Sequence, residues 1–143
     1  DADGQHDPKY IPRLLETMQS GDYDLVLGSR FLSDTYRDFS FIRKIGIIFF
    51  SKVVSLLGHA EITDVTSGFK VYKVSSLKKL SKPSDGYPAV EQMLEIAKKG
   101  MRIRELPVKM PIRSTGKSHL SLRRFALYPF RMIWAILKVM LFR

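Results

Sequence analysis

Between Pro8 and Ser20 the apolar residues Ile11, Leu14, Leu15 and Met18 recur every three or four positions, the spacing of one helical face. Asp7 stands at the N-cap position, Pro8 at the first helical position and Gly21 at the stop. Asp24 to Gly28 (DLVLG) is a short apolar run between turn residues and predicts a buried strand, followed by a polar loop over 31–40. Phe41 to Leu57 is long enough for a helix and is closed by Gly58. Arg43, Lys44 and Lys52 interrupt it, and it falls short of the ~20 apolar residues that a bilayer requires.

Gly68 to Lys73 predicts a strand, Ser75 to Leu80 a short helix, and Lys82 to Tyr87 a loop. A further helix is expected over Ala89–Lys99, ending at Gly100. Arg102 to Val108 alternates like a strand, with Pro107 marking a sheet edge or a strand end. Strands alternating with helices indicate an α/β domain. So few strands match a sheet whose first strands lie outside this sequence.

The last stretch divides from the rest, giving an expected body over 1–119 and a separate helix over 120–143. After Pro129 the chain reads FRMIWAILKVMLFR, with Arg131 and Lys138 seven apart on one helical face. A helix of about thirteen residues covers ~20 Å, too little for the hydrocarbon core. An amphipathic helix lying in a membrane interface is expected, with Trp134 at headgroup level. The alternative is a helix packed on the sheet or in a dimer interface.

Composition narrows the function classes. The chain has 143 residues, enough for one domain, and 45% hydrophobic against 27% charged residues is a globular balance. It has no cysteine, which excludes disulfides, thiolate metal sites and cysteine nucleophiles. Net charge is +10, unevenly placed: residues 1–40 hold eight acids against four bases, whereas the last 46 hold twelve bases and one acid, Glu105. Such a basic end calls for an anionic partner: phosphate, a membrane surface or nucleic acid. No helix-turn-helix, RNA-binding or zinc pattern accompanies the bases, and they are mixed with apolar positions, so nucleic acid is not expected.

Four groups of residues can carry chemistry. In an extended segment Asp1 and Asp3 point the same way, and paired carboxylates suit Mg²⁺ or Mn²⁺ bridging a diphosphate. A calcium loop fails, because His6 and Pro12 stand where glycine and glutamate are needed. Arginines among small residues (Gly28-Ser29-Arg30, Arg43-Lys44, Arg113 to Gly116 and Ser118) match phosphate, or else are surface charges. Asp64, in D-V-T-S-G-F, either caps a turn or faces an active site. Glu91 and Glu95 share a helical face, where one of them serves as a base or both are solvated near Lys98 and Lys99.

In order along the chain, DADGQHDP (1–8), DLVLGSRF (24–31), Arg43, DVTSGFKVY (64–72), EQMLEIAKKGMRIRELPV (91–108) and RSTGKS (113–118) resemble the family 2 glycosyltransferases. The likeness is to the dolichol-phosphate mannose synthase and polyisoprenyl-phosphate glycosyltransferase group. It implies the C-terminal portion of a GT-A, Rossmann-like catalytic domain. Asp1 and Asp3, assisted by Gln5, would hold Mg²⁺ or Mn²⁺ and the diphosphate of a GDP- or UDP-sugar. Arg30, Arg43, Arg113 and Ser118 would meet the donor diphosphate or the acceptor phosphate, and Asp64 and Glu91 are the candidate catalytic carboxylates. The implied reaction inverts the anomeric carbon and delivers the sugar to a polyprenyl phosphate or a glycan at the cytoplasmic membrane face. Such enzymes carry a nucleotide pocket ahead of the D-x-D, so the expectation is a fragment, inactive alone. The competing class is a non-catalytic membrane-surface or regulatory module in which the cationic tail is the functional part.

Overall fold

The computed structural model describes residues 6–34, 40–82, 88–110 and 122–142. Asp7 caps the first turn through its carboxylate, which accepts from Lys9 N at 3.0 Å. A short 3₁₀ turn, Pro8–Tyr10, then leads into α1, Ile11–Gly21, which ends at Asp22 in the left-handed region. Strand β1, Leu25–Ser29, follows, and α2, Phe41–Gly58, closes on a left-handed His59. Strand β2, Lys70–Tyr72, the single turn α3, Val74–Leu77, and α4, Pro88–Lys98, come next. The described chain finishes with β3, Ile103–Pro107, and α5, Leu122–Phe142, with Pro129 inside that helix.

Among the described residues the strands form one sheet in the order β2-β1-β3. β2 runs antiparallel to β1, with Leu27 opposite Lys70, and β3 runs parallel to it, with Leu27 opposite Glu105. The expected α/β pattern is therefore observed as a small mixed sheet. Pro107 ends a strand at the sheet margin, where its missing N–H removes no central ladder bond.

β1 is buried on both sides. Leu25 and Leu27 join residues of α2, α4 and α5 in the main core, while Val26 packs with Leu14 of α1 and Leu106 of β3. Only Leu14 of the predicted α1 stripe is fully buried; Met18 is half-buried, and Ile11 and Leu15 stay exposed, so the contact is narrower than the stripe. Met132, Ala135, Ile136 and Val139 bury one face of α5 against α4 and α2. None of the described helices is long and apolar enough to cross a membrane.

Two close approaches explain two glycines. A Cβ on Gly28 would stand 2.9 Å from Val108 Cγ1 and 3.2 Å from Phe69 Cδ1, and one on Gly58 would overlap the Ala97 methyl. Gly28 thus lets the chain after β3 and the loop before β2 converge on the end of β1. That convergence builds the site.

Candidate functional site

Ser29 and Arg30 stand where β1 ends, and both are buried. The segment 62–69 crosses this end. Ser67 Oγ donates to Gly28 O at 2.7 Å, and Gly28 N donates to Phe69 O at 2.8 Å. Ser67 N donates to Asp64 O at 3.2 Å, so residues 64–67 close a turn as the sequence pattern allowed. His6, which directly follows D-A-D-G-Q, stacks on Phe69 with ring centroids 5.1 Å apart. The three motif segments around His6, Arg30 and Asp64 therefore meet in space.

Asp64 is fully buried and organises the centre of this cluster. Its Oδ2 accepts from Arg30 N at 3.1 Å and Nε at 2.7 Å, and its Oδ1 accepts from Arg30 Nη2 at 2.7 Å and Thr66 Oγ1 at 3.2 Å. Arg30 Nη2 also donates to Thr66 Oγ1 at 2.7 Å. Four contacts fill the acceptor capacity of a carboxylate. This geometry suits Asp64 to hold a guanidinium in a fixed plane, rather than to take up a substrate proton. A bidentate pair of this kind fixes direction as well as charge.

Glu105 was not singled out by its chemistry, yet it supports this arrangement from β3. Its carboxylate accepts from Thr63 N at 3.0 Å, Thr63 Oγ1 at 2.5 Å and Asp64 N at 3.2 Å. Burial raises its pKa above the usual glutamate range, and the bonds from Thr63 and Asp64 N only partly oppose that. Thr63 Oγ1 in turn lies 2.7 Å from Ser29 Oγ. The signal available beforehand was compositional: Glu105 is the one acid among the last 46 residues.

Lys70 is a second cation facing this region. Burial lowers its pKa to about 8, and the negative charge of Asp64 pulls the other way. An open groove of about 570 Å³ lies between the C-terminal end of α2 and residues 60–63, reaching the cluster at Thr63 alone.

Glu91 and Glu95 are both buried, so the solvated-face alternative does not hold. Glu95 is tied down: its Oε1 accepts from Ser81 N and Oγ, each at 2.9 Å, and from Lys99 Nζ at 2.7 Å. Burial works to raise its pKa, but the bonds from Lys99 and Ser81 outweigh it and the net shift is downward. Arg43 is exposed in the first turn of α2. Asp1, Asp3, Gln5, Arg113 and Ser118 lie outside the described residues. Among the described residues no group of three or more His, Cys, Asp or Glu side chains is placed to hold a metal ion.

Comparison with known proteins adds a family. Residues 1–81, more than half of the chain, match the family described as Glycosyl transferase family 2. A UDP-N-acetylglucosamine–dolichyl-phosphate N-acetylglucosaminyltransferase of Methanococcus voltae is 33% identical over 113 residues, covering 76% of this chain and 45% of that protein. An undecaprenyl-phosphate mannosyltransferase of Micrococcus luteus is 32% identical over 126 residues, covering 85% of this chain and 51% of that protein. The chain spans about half the length of these curated relatives.

Proposed function

The chain belongs to glycosyl transferase family 2, and on that premise we propose that it is the acceptor-side part of an enzyme moving a sugar from a nucleotide-sugar to a polyprenyl phosphate. The observation that carries this reading is the buried Arg30–Asp64 pair where β1 ends, a cation whose direction is set before any phosphate arrives. The names of the two relatives, one dolichyl-phosphate and one undecaprenyl-phosphate transferase, support a lipid phosphate as the acceptor.

In the proposed reaction an oxygen of the acceptor phosphate attacks the anomeric carbon. A new C–O bond forms there, the bond to the nucleoside diphosphate breaks, and the configuration inverts. A phosphate oxygen is already ionised at neutral pH, so no side chain has to remove a proton. That accords with Asp64 having both oxygens engaged. Arg30 holds the acceptor phosphate, Arg43 and Arg113 add charge around it or around the donor diphosphate, and Ser118 assists. Glu91 remains the candidate general base should the acceptor be a glycan hydroxyl. Asp1, Asp3 and Gln5 would hold Mg²⁺ or Mn²⁺, which supplies positive charge to the leaving diphosphate.

Two helices support a peripheral position at the cytoplasmic membrane face. α2 exposes Phe41, Ile45, Ile48, Phe49 and Leu56 along one stripe that also carries Lys52. α5 exposes Phe130, Trp134, Leu137 and Leu141, beside Arg131. Apolar stripes bordered by bases fit an interface with anionic lipid.

The test is Asp3→Ala in the full-length enzyme that contains this chain. Sugar transfer to polyprenyl phosphate should fall by at least about a hundredfold, with unchanged circular dichroism. Turnover close to that of the parent would sink the reading.

A further inference from the structure

We infer that Glu105 is a positioning residue for substrate phosphate, acting through Asp64 on Arg30. The inference rests on the proposal that Arg30 meets a phosphate.

The geometry is a closed frame. β3 lies parallel to β1, pairing Leu27 with Glu105 and Ser29 with Pro107, and Val108 N donates to Ser29 O at 3.1 Å. The strand that carries Glu105 is thus fixed to the strand that delivers Arg30. From β3, Glu105 reaches a segment 41 and 42 positions away in sequence and takes up the backbone N–H groups of Asp64 and Thr63. Those two bonds set where the Asp64 backbone lies. The Asp64 carboxylate then sets the plane of the Arg30 guanidinium through Nε and Nη2. A second route leads from Glu105 through the Thr63 hydroxyl to the Ser29 hydroxyl, the residue just before Arg30.

A half-buried carboxylate is an expensive way to hold a turn in place unless its charge or its double acceptor capacity is used. Here both oxygens accept. An ionised glutamate has no proton to donate, so it obliges the Thr63 hydroxyl to donate to it and leaves the Ser29 hydroxyl to donate to Thr63. Glutamine has the same size but one acceptor oxygen and a donating amide, which would oppose a backbone N–H. Arg30 would keep its charge in that variant but lose its fixed direction. Nε and Nη2 are committed to Asp64 and Thr66, so a phosphate contact would fall to Nη1, and the plane of the guanidinium decides where Nη1 points.

The experiment is steady-state kinetics on the full-length enzyme, measuring KM for nucleotide-sugar and for polyprenyl phosphate separately. Arg30→Ala is expected to raise KM for one of them by about tenfold or more. Glu105→Gln should raise KM for that same substrate by about tenfold, and the double variant should be no worse than Arg30→Ala alone. Thr63→Val, which removes only the hydroxyl link, should shift the same KM in the same direction, and Thr63→Ser should restore it. Ser76→Ala, which breaks a hydrogen bond to Asp24 remote from the cluster, controls for lost stability and should leave both KM values unchanged.

A folded Glu105→Gln enzyme with parental KM values would overturn the inference while leaving the role of Arg30 intact. So would additive effects in the double variant, or a shift in kcat alone. If Glu105→Gln does not fold, Thr63→Val decides, and unchanged KM values there overturn the inference. Unchanged KM values for both substrates in Arg30→Ala would instead overturn the phosphate role of Arg30, and the inference with it.

Discussion

Lys70 shows how one residue reports on the electrostatics of the cluster. It lies on β2 opposite Leu27, and burial lowers its pKa from 10.5 to about 8 against the pull of Asp64. The folded chain therefore binds this proton less well than the unfolded chain does. Stability from this group is lowest below about pH 8 and rises as pH climbs from about 8 towards 10.5. Lys70→Met is accordingly expected to be more stable than the parent at pH 7, with the advantage shrinking by pH 10. Urea midpoints at both pH values measure this, and an equal gain at both would refute it. Asp64 and Arg30 were visible in the sequence as members of motifs, because each stands next to small residues that form turns. What was not visible was that they bind each other across 34 positions. Glu105 stood out only as a lone acid in a basic region, and nothing local to Arg-Glu-Leu-Pro says where its carboxylate lands.

At the scale of elements, helix ends were legible because capping is local chemistry. Asp7 with Pro8, Gly58 before the left-handed His59, and Gly100 with φ 63 all stand where the pattern put a start or a stop. The contact between helices was less legible. α2 and α4 meet at Gly58, where a Cβ would overlap Ala97. Gly58→Ala is expected to lower stability by about 1–3 kcal/mol through overpacking. Gly46, in the same helix, has nothing within 4 Å of a built Cβ. Gly46→Ala should therefore raise stability by up to about 1 kcal/mol by removing glycine's helix penalty. Thermal or urea unfolding of the two variants checks the opposite signs, and a loss in both would contradict the packing.

For the whole molecule, α5 packs on the protein along one face, which its own sequence offered as the alternative to a membrane interface. Met132, Ala135, Ile136 and Val139 are buried, whereas Phe130, Trp134 and Leu141 on other positions of the same helix are exposed. Apolar residues nearly all round this helix can meet two different surroundings at once. If the exposed stripes of α2 and α5 meet lipid, Phe49→Asp with Trp134→Asp should raise KM for a vesicle-embedded acceptor about tenfold and leave KM for a short, water-soluble acceptor unchanged. Equal changes with both acceptors would remove the membrane role from these helices. The sequence by itself determined the α/β alternation, the helix ends marked by Asp7, Gly58 and Gly100, the lack of thiol chemistry and the family. All of these follow from periods, caps, residue types or motif order, which are read along the chain. Only the tertiary structure decided that Glu91 and Glu95 are buried, that Asp64 is engaged by Arg30, and that Glu105 accepts from the backbone of Thr63 and Asp64. Those facts depend on which distant segments converge at the end of β1, and no local pattern encodes that convergence.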